Sequence, residues 1–250
     1  MSDDRYFKFS NAVLVVPFVA VLTIWMVFLL ELRLQVNWSH LGVFPRTLSG
    51  LKGVVLSPFI HGSVEHLYNN TIPIAILLGA LVYFYKDIYL KVLLWGILIS
   101  GLVTWAIGRP SYHIGISGLI YVLASFIFFK GIFTKHYRLV ALSLVVVFIY
   151  GGLLWYIFPI EDGISWEGHL GGFIAGLLLA ILMKVRTPPL KKYEWEREDF
   201  NEEDDPFLRH FDADGNFIEK VEEEEQKQTG ATSVKITYHY KKNPPEEGGD

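Results

Sequence analysis

Six stretches of 16 residues or more in this 250-residue chain contain no Asp, Glu, Lys or Arg. They cover residues 12–30, 66–85, 92–108, 110–129, 139–160 and 168–183, with lengths of 19, 20, 17, 20, 22 and 16. A hydrocarbon core of about 30 Å is crossed by roughly 20 helical residues, with a range of about 17 to 25. Five runs fall in that range, and the sixth can extend through Val185 and its flanks. Lipid cannot hydrogen-bond to peptide groups, so these runs are expected to be helices rather than strands. A hydrophobic content of 52% fits that expectation and is too high for an ordinary soluble domain. The first run is longer than the apolar region of a cleaved signal, about 7 to 15 residues, and no A-x-A site follows it. With no cysteine, disulfides are excluded.

Charge divides the chain. Residues 1–186 hold 13 Lys and Arg against 8 Asp and Glu, a net of +5. Residues 187–250 hold 9 against 18, a net of −9. The expected organisation is therefore a six-helix membrane domain over 1–186 and a polar, acidic tail over 187–250. If the N-terminus is cytoplasmic, eleven Lys and Arg fall in the inner segments and four in the outer ones, Arg33, Arg46, Lys52 and Arg109. That asymmetry satisfies the positive-inside rule and places both termini in the cytoplasm. The acidic loop at 161–163, with Glu167, then belongs outside. The long connection from Glu31 to Glu65 carries Trp38, Phe44 and Phe59 and is expected to lie partly in the interface. In the tail, "FLRHFDADGNFIEKV" has a hairpin pattern around a turn, and "SVKITYHY" alternates like a strand. Its Asp-x-Asp spacing lacks the glycine of a calcium loop, so a turn is the expectation, with disorder as the alternative.

Polar groups inside membrane helices are costly and are functional candidates. His66 and Asn70 are four apart and share a helix face, with His61 five residues earlier. Ser117 and Tyr121 are also four apart, inside the apolar stretch "HIGISGLIY", where Gly115 and Gly118 flank the serine. His169 opens the sixth run and is followed by Gly172 and Gly176, a spacing that permits close helix approach. The second, fourth and sixth helices run in the same direction, so His66, Ser117 and His169 sit near equivalent ends. A hydroxyl, an imidazole to take its proton and additional donors are the parts of an acyl-transfer site. No carboxylate is placed to orient His169 unless Glu167 bends back, so a dyad is expected. His113 and Asn69 read as bystanders.

At these residues the chain resembles the rhomboid family of intramembrane serine proteases. The resemblance lies in His61-x4-His66-x3-Asn70, Gly115-Ile116-Ser117-Gly118, and His169 followed by Gly172 and Gly176, each on the corresponding helix. It spans about residues 11 to 186. It implies an all-α, polytopic, six-helix rhomboid-like bundle with Ser117 as nucleophile and His169 as general base. It implies His66, Asn70 and the Ser117 backbone N–H as the oxyanion hole, Tyr121 stacked on His169, and His61 in the attachment of the first loop. Substrates would be single-span membrane proteins cut in or near the transmembrane segment, by a multi-pass protein of a bacterial inner membrane. Neither metal, cofactor nor nucleic acid is expected, and the oligomeric state is open. Two positions depart from the family pattern. The Trp-Arg pair of many members is replaced by "SGLKGVV", and Ile114 stands where many bacterial members have glycine. A metalloprotease would need H-E-x-x-H, which is absent, and a transporter would need charge at the midplane. The competing expectation is a catalytically inactive relative that binds membrane clients.

Overall fold

The computed structural model describes residues 7–161, 163–188, 193–212 and 214–218. The chain divides into two compact units, Met1–Leu190 and Lys191–Asp250. Among the described residues, six principal helices build the first unit: α1 Ala12–Leu34, α2 Val64–Phe84, α3 Tyr89–Ile107, α4 Ser117–Thr134, α5 Tyr137–Tyr150 and α6 Trp166–Leu182. The only β pairing among the described residues consists of two isolated antiparallel bridges, Val43 to His113 and Phe211 to Phe217.

Five of these helices are long and apolar enough to cross a membrane: α1 to α4, and α5 taken with its 3-10 continuation to Ile157. The sixth expected span is α6, which at 17 residues is shorter and covers only about 25 Å at 1.5 Å per residue. Side chains such as Leu14, Phe18, Leu22 and Met26 on α1 and Phe148 on α5 point outward. An apolar outer surface suits a hydrocarbon solvent as well as an apolar core does. Pro17 and Pro73 sit inside α1 and α2 without ending them.

Three boundaries differ from the uncharged runs. Helix α1 continues through Glu31, whose buried carboxylate accepts the Trp38 N–H at 2.7 Å and turns the chain. The stretch "HIGISGLIY" is helical only from Ser117 onward. Before it, His113 and Val43 exchange N–H to carbonyl bonds of 2.9 and 3.0 Å, and the Gly115 N–H reaches Ser57 O at 2.9 Å. These partners come from the first loop, so helical periodicity alone gives no sign of them. In the fifth run the α-helix stops at Tyr150 and a 3-10 segment carries on over Gly151–Ile157. Glycine is a poor helix former, and Gly151-Gly152 stands where the geometry changes.

The loop between α1 and α2 consists of short helical turns at Ser39–Leu41, Ser49–Lys52, Gly53–Leu56 and Ser57–Phe59. In place of a Trp-Arg pair, Arg46 and Trp105 hold it to the end of α3. The Arg46 side chain donates to Ala106 O and Gly108 O, and its N–H to Trp105 O; Trp105 Nε1 donates to Thr47 O at 2.8 Å.

Helix α4 is the centre of the unit, packing against α2, α3, α5 and α6. Its buried residues include Leu119, Tyr121, Val122, Leu123, Phe126 and Ile127. The α4–α6 contact is made by glycine. A Cβ on Gly172 would lie 2.2 Å from Gly118 O, and one on Gly176 would lie 2.4 Å from Val122 O. Gly171 is also tight, but against α3, where a Cβ would meet Ser100 O at 2.8 Å. At the far end of α6, Lys130 of α4 donates to Ala180 O at 3.0 Å and to Met183 O. In the second unit, Asp212 Oδ1 accepts the N–H groups of Asp214 and Asn216, closing a turn between Phe211 and Phe217. The expected strand at 233–240 lies outside the described residues.

Overpacking a tight interface costs about 1–3 kcal/mol, whereas glycine-to-alanine in a helix with room gains about 0.5–1 kcal/mol. Gly172→Ala and Gly176→Ala are therefore expected to lower the melting temperature in detergent. Gly79→Ala, whose nearest contact would be an ordinary 3.6 Å, is expected to leave it unchanged or raise it. Thermal unfolding followed by circular dichroism checks this.

Candidate active site

Ser117 is the first residue of α4, and its position depends on the glycine two residues before it. Gly115 has φ +107, a left-handed conformation that a side chain would strain, and a Cβ there would lie 2.7 Å from His66 Cε1. Glycine thus lets the chain turn sharply under the His66 ring and start the helix at Ile116–Ser117. The Ser117 hydroxyl stands beside the N–H groups of the first turn, which have no partner within the helix. Those groups also carry the positive end of the helix dipole.

The close α4–α6 approach brings His169 to this serine. His169 Nε2 lies 3.0 Å from Ser117 Oγ, and its Nδ1 lies 2.9 Å from Tyr156 O. A carbonyl can only accept, so Nδ1 carries the proton and Nε2 presents a lone pair to the serine hydroxyl. The ring is 8% exposed and stacks on Tyr121, with centroids 4.3 Å apart and planes 13° apart. Tyr121 is fixed by its hydroxyl, which donates to Leu153 O at 2.7 Å. The arrangement is that of a hydroxyl with an adjacent, tautomer-selected base whose ring is largely buried.

His66, Asn70, Ser117, Tyr121 and His169 line one cavity of about 790 Å³, together with Ile114 and parts of the 153–165 segment. Asn70 uses one amide N–H on His66 O at 2.9 Å, leaving its second donor for the cavity. Ile114 touches the first loop, coming within 2.6 Å of where a Gly42 Cβ would lie. His61 sits behind the site, its ring 5.1 Å from that of His66 and its Nε2 3.5 Å from the Ile116 N–H. Burial, with His66 beside it, pushes the His61 pKa down to about 4. The ring is therefore neutral at pH 7 and able to accept from Ile116, tying the first loop to the start of α4.

Glu167 does not bend back toward His169. It is 1% exposed rather than in solvent, and it turns to the segment before α4. Its Oε1 accepts the Arg109 N–H at 3.0 Å and lies 3.5 Å from Arg109 Nε, while the Arg109 guanidinium donates to Ile164 O. His113, a bystander on sequence alone, belongs to this cluster. Its Nε2 donates to Arg109 O at 3.2 Å, which leaves Nδ1 to accept from Ser165 Oγ at 2.6 Å. Ser165 in turn accepts the Gly168 N–H and caps α6. Burial holds the His113 pKa below its ordinary value, against the pull of Glu167. The sequence signal for this cap is modest, a serine three residues ahead of Gly168 with an acid between them. Nothing in the sequence pairs it with Arg109 and His113. The roles of the Tyr156 and Leu153 carbonyls are likewise invisible in a pattern of side chains.

Two kinds of similarity bear on this geometry. The model of the rhomboid domain matches residues 49–186. Uncharacterised proteins of Mycobacterium tuberculosis and Mycobacterium bovis are each 36% identical over 185 residues, covering 68% of this chain and 74% of theirs. One from Mycobacterium leprae is 34% identical over 156 residues, covering 57% of this chain and 61% of its own length. With its apolar helices and a domain match that spans more than half its length, the chain is an integral membrane protein and belongs to the rhomboid family.

Proposed function

We propose that this protein is an intramembrane serine endopeptidase that cleaves membrane-anchored proteins in or near their transmembrane segment. The observation that carries the proposal is the 3.0 Å contact of Ser117 Oγ with a His169 whose other nitrogen is held by a carbonyl. His169 Nε2 takes the hydroxyl proton as Ser117 Oγ attacks the scissile carbonyl. The oxyanion that forms is held by the Ser117 N–H, the free Asn70 amide proton and His66. The proton then passes from His169 to the leaving amine, and a water, activated by the same nitrogen, releases the acyl group. Tyr121 keeps the imidazole in plane through both steps. The family of which this chain is a member consists generally of such proteases, and the mycobacterial relatives favour a bacterial inner membrane. The Lys and Arg distribution favours cytoplasmic termini and an outward-facing site, with the 187–250 tail apart from the chemistry.

Ser117→Ala and His169→Ala are each expected to abolish cleavage of a single-span substrate while leaving the helical spectrum intact. Fragment mapping by mass spectrometry, with fluorophosphonate labelling of Ser117, reads the result. Cleavage retained by a folded Ser117→Ala protein would end the serine-protease reading, and wild-type protein that neither cleaves nor takes the label would leave a client-binding relative. Asn70→Ala should lower kcat by about 10²-fold with little change in KM, because an oxyanion donor acts mainly in the transition state. A rise in KM alone would make Asn70 a binding residue. A chain truncated after residue 190 is expected to keep the activity of the full chain on a detergent-solubilised substrate. Its loss in a folded protein would bring the tail into the mechanism.

A further inference from the structure

Both members of the dyad stand at helix starts: Ser117 is the first residue of α4, and His169 lies in the first turn of α6. The glycine contact between these helices begins further along α6, at Gly172, and fixes how closely the axes approach. Terminal turns are the parts of a helix that fray, so the 3.0 Å meeting of Ser117 Oγ and His169 Nε2 needs a tie at the ends themselves. Glu167 supplies one. It sits in the same first turn as His169, yet its Oε1 accepts the backbone N–H of Arg109 at 3.0 Å, in the connection that runs from α3 to Ser117. That connection is held at two further points. His113 accepts the Ser165 hydroxyl at 2.6 Å while its backbone pairs with Val43, and the Gly115 N–H reaches Ser57 O. Ser165 caps α6, and its own carbonyl accepts the His169 N–H at 3.2 Å.

Stability does not account for this carboxylate. An exposed acid in a first turn is favourable against the helix dipole, but Glu167 is 1% exposed. Its Oε2 has no hydrogen-bond partner among the described residues, and His113 Nδ1 lies 3.9 Å away. Such a group gives up hydration that its partners return only in part, and an apolar side chain of similar volume commonly serves stability as well or better. Arg109, with Nε 3.5 Å from Glu167 Oε1, has a side chain 41% exposed and keeps its access to solvent if that partner is removed. Given the serine-protease reading, we propose that Glu167 is a positioning residue: bonded to Arg109, it locks the first turn of α6 to the segment that delivers Ser117, and so sets the contact of His169 with the serine hydroxyl. The third group of a catalytic triad orients the imidazole itself. Here Tyr156 O already holds the ring nitrogen, and Glu167 orients the turn that carries the ring.

The test compares wild type with Glu167→Leu and Glu167→Gln. Leucine fills the space without an acceptor, whereas glutamine keeps an oxygen for the Arg109 N–H. Glu167→Leu is expected to hold or raise the melting temperature while lowering kcat about tenfold or more with KM little changed, since a displacement of about 1 Å can cost about a hundredfold in rate. A merely structural role does not produce that split. Glu167→Gln should recover most of the wild-type kcat. Turnover is counted per serine that a fluorophosphonate labels, so unfolded protein does not enter. The ¹⁵N resonance of His169 Nε2, assigned by difference with His169→Ala, should move in Glu167→Leu toward its position in Ser117→Ala, where the contact is absent. Wild-type kcat or an unmoved resonance in folded Glu167→Leu would overturn the proposal, as would a glutamine variant no better than the leucine. If Glu167→Leu does not fold, Glu167→Asp, one methylene short of Arg109, is expected to show the same two changes, and the absence of either overturns it. The resonance needs no turnover, so an inactive, unlabelled wild type would sink the protease reading while the coupling of Glu167 to His169 is still read directly.

Discussion

The interaction on which the site depends is the meeting of two backbones. Helices α4 and α6 come close enough that Gly172 faces Gly118 O and Gly176 faces Val122 O, with no side chain between them. Between membrane helices there is no large hydrophobic gain, because lipid tails are as apolar as the partner helix, so close van der Waals contact carries the association. The same proximity places Ser117 Oγ 3.0 Å from His169 Nε2. Helix packing and the contact of the imidazole with the hydroxyl are in this way one condition, met by small residues at a spacing of four.

Around that contact, loops do most of the orienting. His169 is held by the carbonyl of Tyr156, Tyr121 by that of Leu153, and the start of α4 by Ser57, Val43 and His61. Backbone carbonyls are unusual as specific partners in a bilayer, where regular helices consume them internally. Here they become available where regularity stops: at the 3-10 segment after Gly151-Gly152, at the proline after Phe158, and in the short turns of the first loop. Irregular backbone is tolerated at these points because it is covered by protein or lines the cavity.

This division explains how much of the fold and site is legible in the sequence. Side-chain spacing on a helix is rigid, so four-residue intervals are enough to put His66 with Asn70, Ser117 with Tyr121, and His169 with Gly172 and Gly176 on shared faces. The lengths of uncharged runs locate the helices to within a turn or so, except where a loop overrides them. Residues 110–116 are apolar enough for a helix, yet the bridge between His113 and Val43 and the bond from the Gly115 N–H to Ser57 O hold them out of one. The Glu167, Arg109, His113 and Ser165 cluster is not legible, because its members lie in two distant segments, the connection before α4 and the start of α6, whose meeting depends on the finished fold. Gly171 faces α3 closely, where a Cβ would lie 2.8 Å from Ser100 O, although nothing in its sequence context separates it from its neighbour Gly172.

The two ends of α6 are fastened by groups from elsewhere in the chain. At the start, Ser165 and Glu167 are bound to the segment carrying His113 and Arg109; at the finish, the Lys130 ammonium grips the carbonyls of Ala180 and Met183. A rod clamped at both ends cannot spin freely about its long axis, and its glycines leave no slack along one side. The imidazole it carries therefore inherits a fixed bearing, and the freedom that remains to it is the torsion of one side chain. Short length, which makes α6 look deficient as a membrane span, makes it stiff as a mount.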